Sequence, residues 1–75
     1  MTTGTDQRQA LAQFAEQSGW QRNEYERVDV YLRGRYHVHA MWRDATVLNG
    51  GSYHEDSVLL SYTREVAKVQ GWLGK

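Results

Sequence analysis

His37 and His39 stand two residues apart, and on an extended strand that spacing puts both imidazoles on one side, about 6.6–7 Å apart along the chain. Such a pair can chelate a metal ion if a third ligand arrives from elsewhere, and His54, Glu55 and Asp56 form the one cluster able to supply it. A zinc site ordinarily needs a fuller ligand set with a supporting shell, so this pair assigns neither metal nor cofactor. Neighbouring imidazoles do titrate between about pH 5 and 8, which makes the pair a candidate pH-responsive element. Around it lie Tyr31, Arg33, Arg35 and Arg43. Tyr and Arg are enriched at the energetic centres of interfaces, where Arg makes charge-assisted hydrogen bonds and Tyr acts as a flat anchor.

Catalytic arrangements are hard to find. The chain has no Cys, so disulfides, thiolate ligands and a Cys nucleophile are excluded. Ser18, Ser52, Ser57 and Ser61 lie in no Gly-x-Ser-x-Gly turn. Asn49-Gly50-Gly51-Ser52 is glycine-rich but lacks the Lys of a phosphate loop, and reads as a connection between elements. Glu55 and Asp56 read as first-turn helix charges rather than an acid/base pair. The expectation is a non-enzymatic protein without a cofactor.

The elements that must position these residues follow from periodicity. Asp6 with Gln9 has capping-box spacing, and Ala10, Leu11, Phe14 and Ala15 recur at helical intervals. Gly19 is placed to end that helix in a left-handed conformation, with Trp20 folding back on the last turn. A helix is predicted over 6–18. Val28, Val30 and Leu32 then alternate with Asp29, Tyr31 and Arg33, the period of a half-buried strand. Gly34 supplies a turn, and Tyr36, Val38, Ala40 and Trp42 resume the alternation. A three-residue loop at Gly34 would pair Val30 and Val28 with Tyr36 and Val38 on the core face. Arg27, Asp29, Tyr31, Arg33, Arg35, His37, His39, Met41 and Arg43 would then share the solvent face. A third strand is predicted over 46–48, with the inward member of Val47 and Leu48 left open. From Asp56 or Ser57 onward, Leu59, Tyr62, Val66, Val69 and Leu73 repeat at helical spacing and predict a second helix ending near Gly71 or Gly74.

The fold expected from this order is α+β: two layers, helix–three-stranded antiparallel sheet–helix (αβββα), a single domain over 6–75 behind a flexible tail at 1–5. The expected core is Leu11, Phe14, Val28, Val30, Leu32, Tyr36, Val38, Trp42, Leu59, Tyr62, Val66, Val69 and Leu73. With 75 residues and a hydrophobic share of 40%, such a core nets only about 3–5 kcal/mol.

Charge narrows the partners. Nine basic residues balance nine acidic ones, which argues against strong electrostatic binding to nucleic acid or membranes. The balance is segregated: residues 27–43 hold four Arg against one Asp, 4 − 1 = +3, while residues 44–65 hold Arg64 against four acids, 1 − 4 = −3. A solvated hairpin face accounts for such a run; so does a contact surface for another protein or a second copy. Nucleic acid is the rival partner. The αβββα order is also that of the double-stranded-RNA-binding domain, but the likeness stops at topology. Where that family carries lysines before its last helix, this chain has His54-Glu55-Asp56-Ser57. The N-terminal stretch is polar and no apolar run approaches about 18 residues, so neither a secretory signal nor a membrane span is expected, and the cytoplasm is the expected compartment.

Gly51-Ser52-Tyr53-His54-Glu55-Asp56, Tyr62-Thr63-Arg64-Glu65 and Gly71-Trp72-Leu73 resemble small orphan proteins of mycobacteria and their phages. An excess of Arg over Lys and the absence of Ile fit a GC-rich coding sequence of that kind. The resemblance carries no activity. It implies a phage-borne or host accessory protein that works by binding a larger protein. The expected contact residues are Tyr31, Arg33, Arg35, His37, His39 and Arg43.

Overall fold

A computed structural model describes residues 7–44 and 46–74 of the chain; the expected tail and the Asp6 cap lie outside the described residues. The order is α1 (Gln7–Gln17), β1 (Gln21–Glu24), β2 (Val28–Arg33), β3 (Tyr36–Asp44), β4 (Val47–Glu55), β5 (Val58–Thr63) and α2 (Val66–Leu73). The strands form one antiparallel sheet in chain order, β1-β2-β3-β4-β5, and both helices pack on the same side of it through Leu11, Ala15, Val69, Trp72 and Leu73. The three-stranded αβββα arrangement is therefore corrected to a five-stranded meander between two helices. Two strands escaped the periodicity. Gln21–Glu24 is polar and shows no alternation. Val58–Thr63, expected as the start of the second helix, is a β-branched and aromatic run whose Leu59 and Tyr62 fall three apart by coincidence.

α1 ends as its sequence requires. Gly19 adopts φ +92°. The Trp20 amide then donates to the Ala15 carbonyl at 3.0 Å, and the Gly19 amide to Glu16 at 3.2 Å, closing a Schellman motif. Trp20 is buried, and its indole N–H donates to the Leu73 carbonyl at 2.8 Å, tying the end of α1 to the end of α2. α2 ends at Leu73 with Gly74 as its cap, so Gly71 lies within the helix and Trp72 packs on the sheet, stacking on Tyr53 at 5.5 Å between ring centroids. This close seating depends on Gly51: a Cβ there would lie 2.6 Å from a Val69 methyl.

Loop length decides which face β2 presents. Gly34 (φ +62°) and Arg35 form a two-residue loop, so Arg33 pairs with Tyr36, Tyr31 with Val38 and Asp29 with Ala40. The loop is one residue shorter than expected, and every β2 side chain consequently changes face. Asp29 and Tyr31 are fully buried under the helices, while Val28, Val30 and Leu32 lie on the opposite face. Of the expected core, Leu11, Val38, Trp42, Val69 and Leu73 are buried, and Phe14, Tyr36 and Val66 pack against them. Leu59 and Tyr62 are more than half exposed. Leu48, not Val47, points inward.

The β4–β5 turn consists of Asp56 and Ser57, both at positive φ (52° and 72°), between the paired Glu55 and Val58. Two left-handed residues in a two-residue hairpin mark the primed turn that favours Asn-Gly. A side chain in that region costs about 1–2 kcal/mol, which Gly avoids while losing part of the gain through its freer unfolded chain. Ser57→Gly is expected to stabilise by about 0.5–1 kcal/mol, raising the midpoint of a circular-dichroism melt by about 4 °C.

Candidate interaction face

Antiparallel pairing sorts the strand residues into two sets. The set opposite the buried Asp29, Tyr31, Val38 and Ala40 lies under the helices. The other set faces away: Gln21 and Asn23 on β1, Val28, Val30 and Leu32 on β2, His37, His39 and Met41 on β3, Gly50, Ser52 and His54 on β4, and Leu59 and Tyr62 on β5. Neither helix packs there. None of these described outward positions carries Asp, Glu, Lys or Arg, although charged residues make up 24% of the chain. A β-bulge next to Tyr53 and His54 leaves Leu60 as an extra residue of β5, half exposed. Val58, Leu59, Leu60 and Tyr62 are each exposed by half or more. Over Gly50 lies the Tyr62 ring, its hydroxyl occupying the space of a missing Cβ.

All three histidines of the chain converge on the middle of this face. His37 is directly opposite His54 across β3 and β4, and the His39 and His54 rings lie 4.8 Å apart at a 36° tilt. His54 Nε2 hydrogen-bonds Ser52 Oγ at 2.9 Å. Val30 and Leu32 flank His39 and His37 from β2. Burial holds the His39 pKa below the ordinary imidazole value, and the nearby His54 and His37 lower it further. Among the described residues, no group of three or more His, Cys, Asp or Glu is arranged to hold a metal ion.

The expected contact residues do not share one surface. His37 and His39 are on the open face, and His54, expected only as a possible third ligand, joins them. Tyr31 is fully buried on the opposite side, where burial pushes its hydroxyl pKa upward; it cannot be the flat anchor. Arg33 also turns toward the helices. Its guanidinium stacks 4.5 Å from the centre of the Trp20 ring and donates to the Ser18 carbonyl at 3.0 Å, satisfying the end of α1. Arg35 lies in the β2–β3 turn, exposed, within 3.4 Å of Glu55 and 3.9 Å of Asp56. Arg43 is exposed at the far end of β3, where its carbonyl accepts from Arg27. The open-face role of Val28, Val30 and Leu32 was missed because apolar strand residues read as core, and only the parity of the short Gly34 loop could have shown it; that of Leu59 and Tyr62 was missed because their spacing read as helical.

The helix side holds the molecule's buried charge. Arg8 reaches from α1 and grips Asp29 with two bonds, Nε to Oδ2 and Nη2 to Oδ1, each 3.0 Å. Arg22 on β1 approaches the same carboxylate at 3.2 Å. The Arg8 guanidinium also donates to the carbonyls of Tyr25 (2.7 Å) and Glu26 (2.9 Å), fixing the β1–β2 connection. With Asp29 wholly enclosed, this arrangement is a clamp between α1 and the sheet rather than an accessible site.

No helix among the described residues is long and apolar enough to cross a membrane. No protein-family model matches the chain, and no curated protein or solved structure is significantly similar to it.

Proposed function

We propose that the chain is a small non-enzymatic interaction module that binds a protein surface through the uncovered face of its sheet, as a phage-encoded or host accessory protein working in the cytoplasm. The observation carrying this reading is a sheet face whose described residues include no Asp, Glu, Lys or Arg, with Val28, Val30, Leu32, Leu59 and Tyr62 around three histidines. Val28, Val30 and Leu32 are half-buried and Leu59 and Tyr62 exposed, and apolar side chains grouped on one uncovered face ordinarily mark a contact site. The expected alternative, a nucleic-acid module using an Arg/His/Tyr face, has less to stand on, because single-strand readers need cations beside exposed aromatics. Tyr31 and Arg33 are turned to the helices, and the described residues of the open face include no Lys or Arg.

The test is affinity capture from source cells with the unaltered chain, with Val30→Glu, and with Lys68→Glu on the helix side as control. Partners should be lost with Val30→Glu alone, and binding should change little between low and moderate salt, as a largely uncharged contact predicts. Partners that survive Val30→Glu would remove the face from consideration.

A further inference from the structure

We propose that the occupant of the open sheet face is a second copy of this chain, packed face to face about a two-fold axis, and that the central histidines make this dimer dissociate in acid. The inference rests on the interaction-module reading and adds the partner and its control.

The pattern of the face is self-complementary. Apolar residues border it on both sides, Val30 and Leu32 on β2 and Leu59 and Tyr62 on β5, with the histidines between. A two-fold axis running along the central strands lays the β2 border of one copy on the β5 border of the other and brings histidines over histidines. An isologous contact requires a patch that tolerates its own image. A patch without permanent charge meets no like-charge repulsion and buries no unpaired ion. Area sets the strength. Laying β2 on β5 overlaps four strands, β2 to β5, which at about 4.8 Å spacing and about six residues long present roughly 19 × 20 Å. Two copies would bury about 800 Å² in all, the size of a weak contact rather than a permanent one. The dimer is therefore weak and concentration-dependent.

The acid response follows from what surrounds the imidazoles. From β2 they meet Val30 and Leu32, and from β4 Ser52. From β5 they meet Leu59 and the phenol of Tyr62. Arg35 and Asp56 in the turns and Glu55 at the end of β4 pair with one another, Arg35 lying 3.4 Å from Glu55 and 3.9 Å from Asp56. No carboxylate among the described residues of the face compensates an imidazolium there. A second copy would remove the remaining water, so the separated protomers bind protons more readily than the dimer. Association is thus full where the His39 imidazole is neutral and weakens as pH falls through its lowered value.

Sedimentation equilibrium of the purified chain tests this. At about pH 8, where unperturbed imidazole is neutral, mass should rise with concentration from 8.7 kDa toward twice that value. At about pH 5, below the ordinary imidazole value, the dissociation constant should be at least about tenfold weaker, with circular dichroism showing an intact fold. Leu59→Glu, at a position 57% exposed and so tolerated by the fold, should weaken association about tenfold or more at both pH values. His39→Leu should retain the dimer in acid. A chain that stays at 8.7 kDa up to millimolar concentration overturns the second copy as occupant; loss of captured partners with Val30→Glu would then still support the interaction reading. A dimer indifferent to Leu59→Glu overturns the face-to-face contact, and a dimer indifferent to pH overturns the histidine control.

Discussion

Replacing Asp29 by alanine should leave the chain largely unfolded at room temperature. The carboxylate is completely enclosed and held by Arg8 and Arg22, whose side chains keep only 15% and 14% of their exposure. Removing it strands two guanidiniums in a poorly hydrated region, and breaking such a buried arrangement costs about 3–5 kcal/mol. That is about the whole stability a core of this size provides. The loss is also mechanical, because Arg8 is the link between α1 and the carbonyls of Tyr25 and Glu26. Asp29→Asn keeps the shape but not the charge and should lose most of the same amount. Exchanging all three residues for apolar ones of similar volume should recover stability, since a buried ion cluster is often replaceable as a unit. Urea denaturation of the single and triple variants checks this. A single variant melting like the parent would show that the clamp contributes nothing.

Tyr31→Ala is the second change with a large expected effect, about 3–5 kcal/mol, the ordinary cost of emptying a buried aromatic site. Its neighbour Val30 lies on the open face, and Val30→Ala should cost well under half as much in the separated protomer. Tyr31→Phe should be neutral or mildly stabilising, because the buried hydroxyl has no hydrogen-bond partner among the described residues and removing an unpaired buried polar atom ends its desolvation penalty. Thermal melts of the three variants read directly which face of β2 meets the helices. Equal losses from Tyr31→Ala and Val30→Ala would contradict the register.

That contrast also shows where the chain was legible. The end of α1 was readable because Gly19 and Trp20 have a local cause and effect. β3 was readable because only one of its alternating sets, Val38, Ala40 and Trp42, could be core. β2 offers two credible sets, Val28-Val30-Leu32 and Asp29-Tyr31-Arg33, and hydrophobicity favours the wrong one. What overrides it is non-local: Arg8 and Arg22 neutralise Asp29, and Trp20 receives Arg33. Those partners lie at sequence distances a strand-by-strand reading does not reach. The β4–β5 hairpin was hidden for a local reason, since Asp56 and Ser57 adopt a turn without the glycine that advertises it. The candidate site suffered accordingly. His37 and His39 were found, while the apolar border around them was assigned to the interior.

Strand order equal to chain order has a kinetic consequence. Every sheet pairing is made between consecutive segments, so the polymer closes only short loops while the sheet assembles. Folding of this topology belongs on the microsecond-to-millisecond scale of domains rich in local contacts. Contacts of longer range come from the helices, among them the Trp20–Leu73 bond, which spans 53 residues. It ties the first helix to the last across the whole meander.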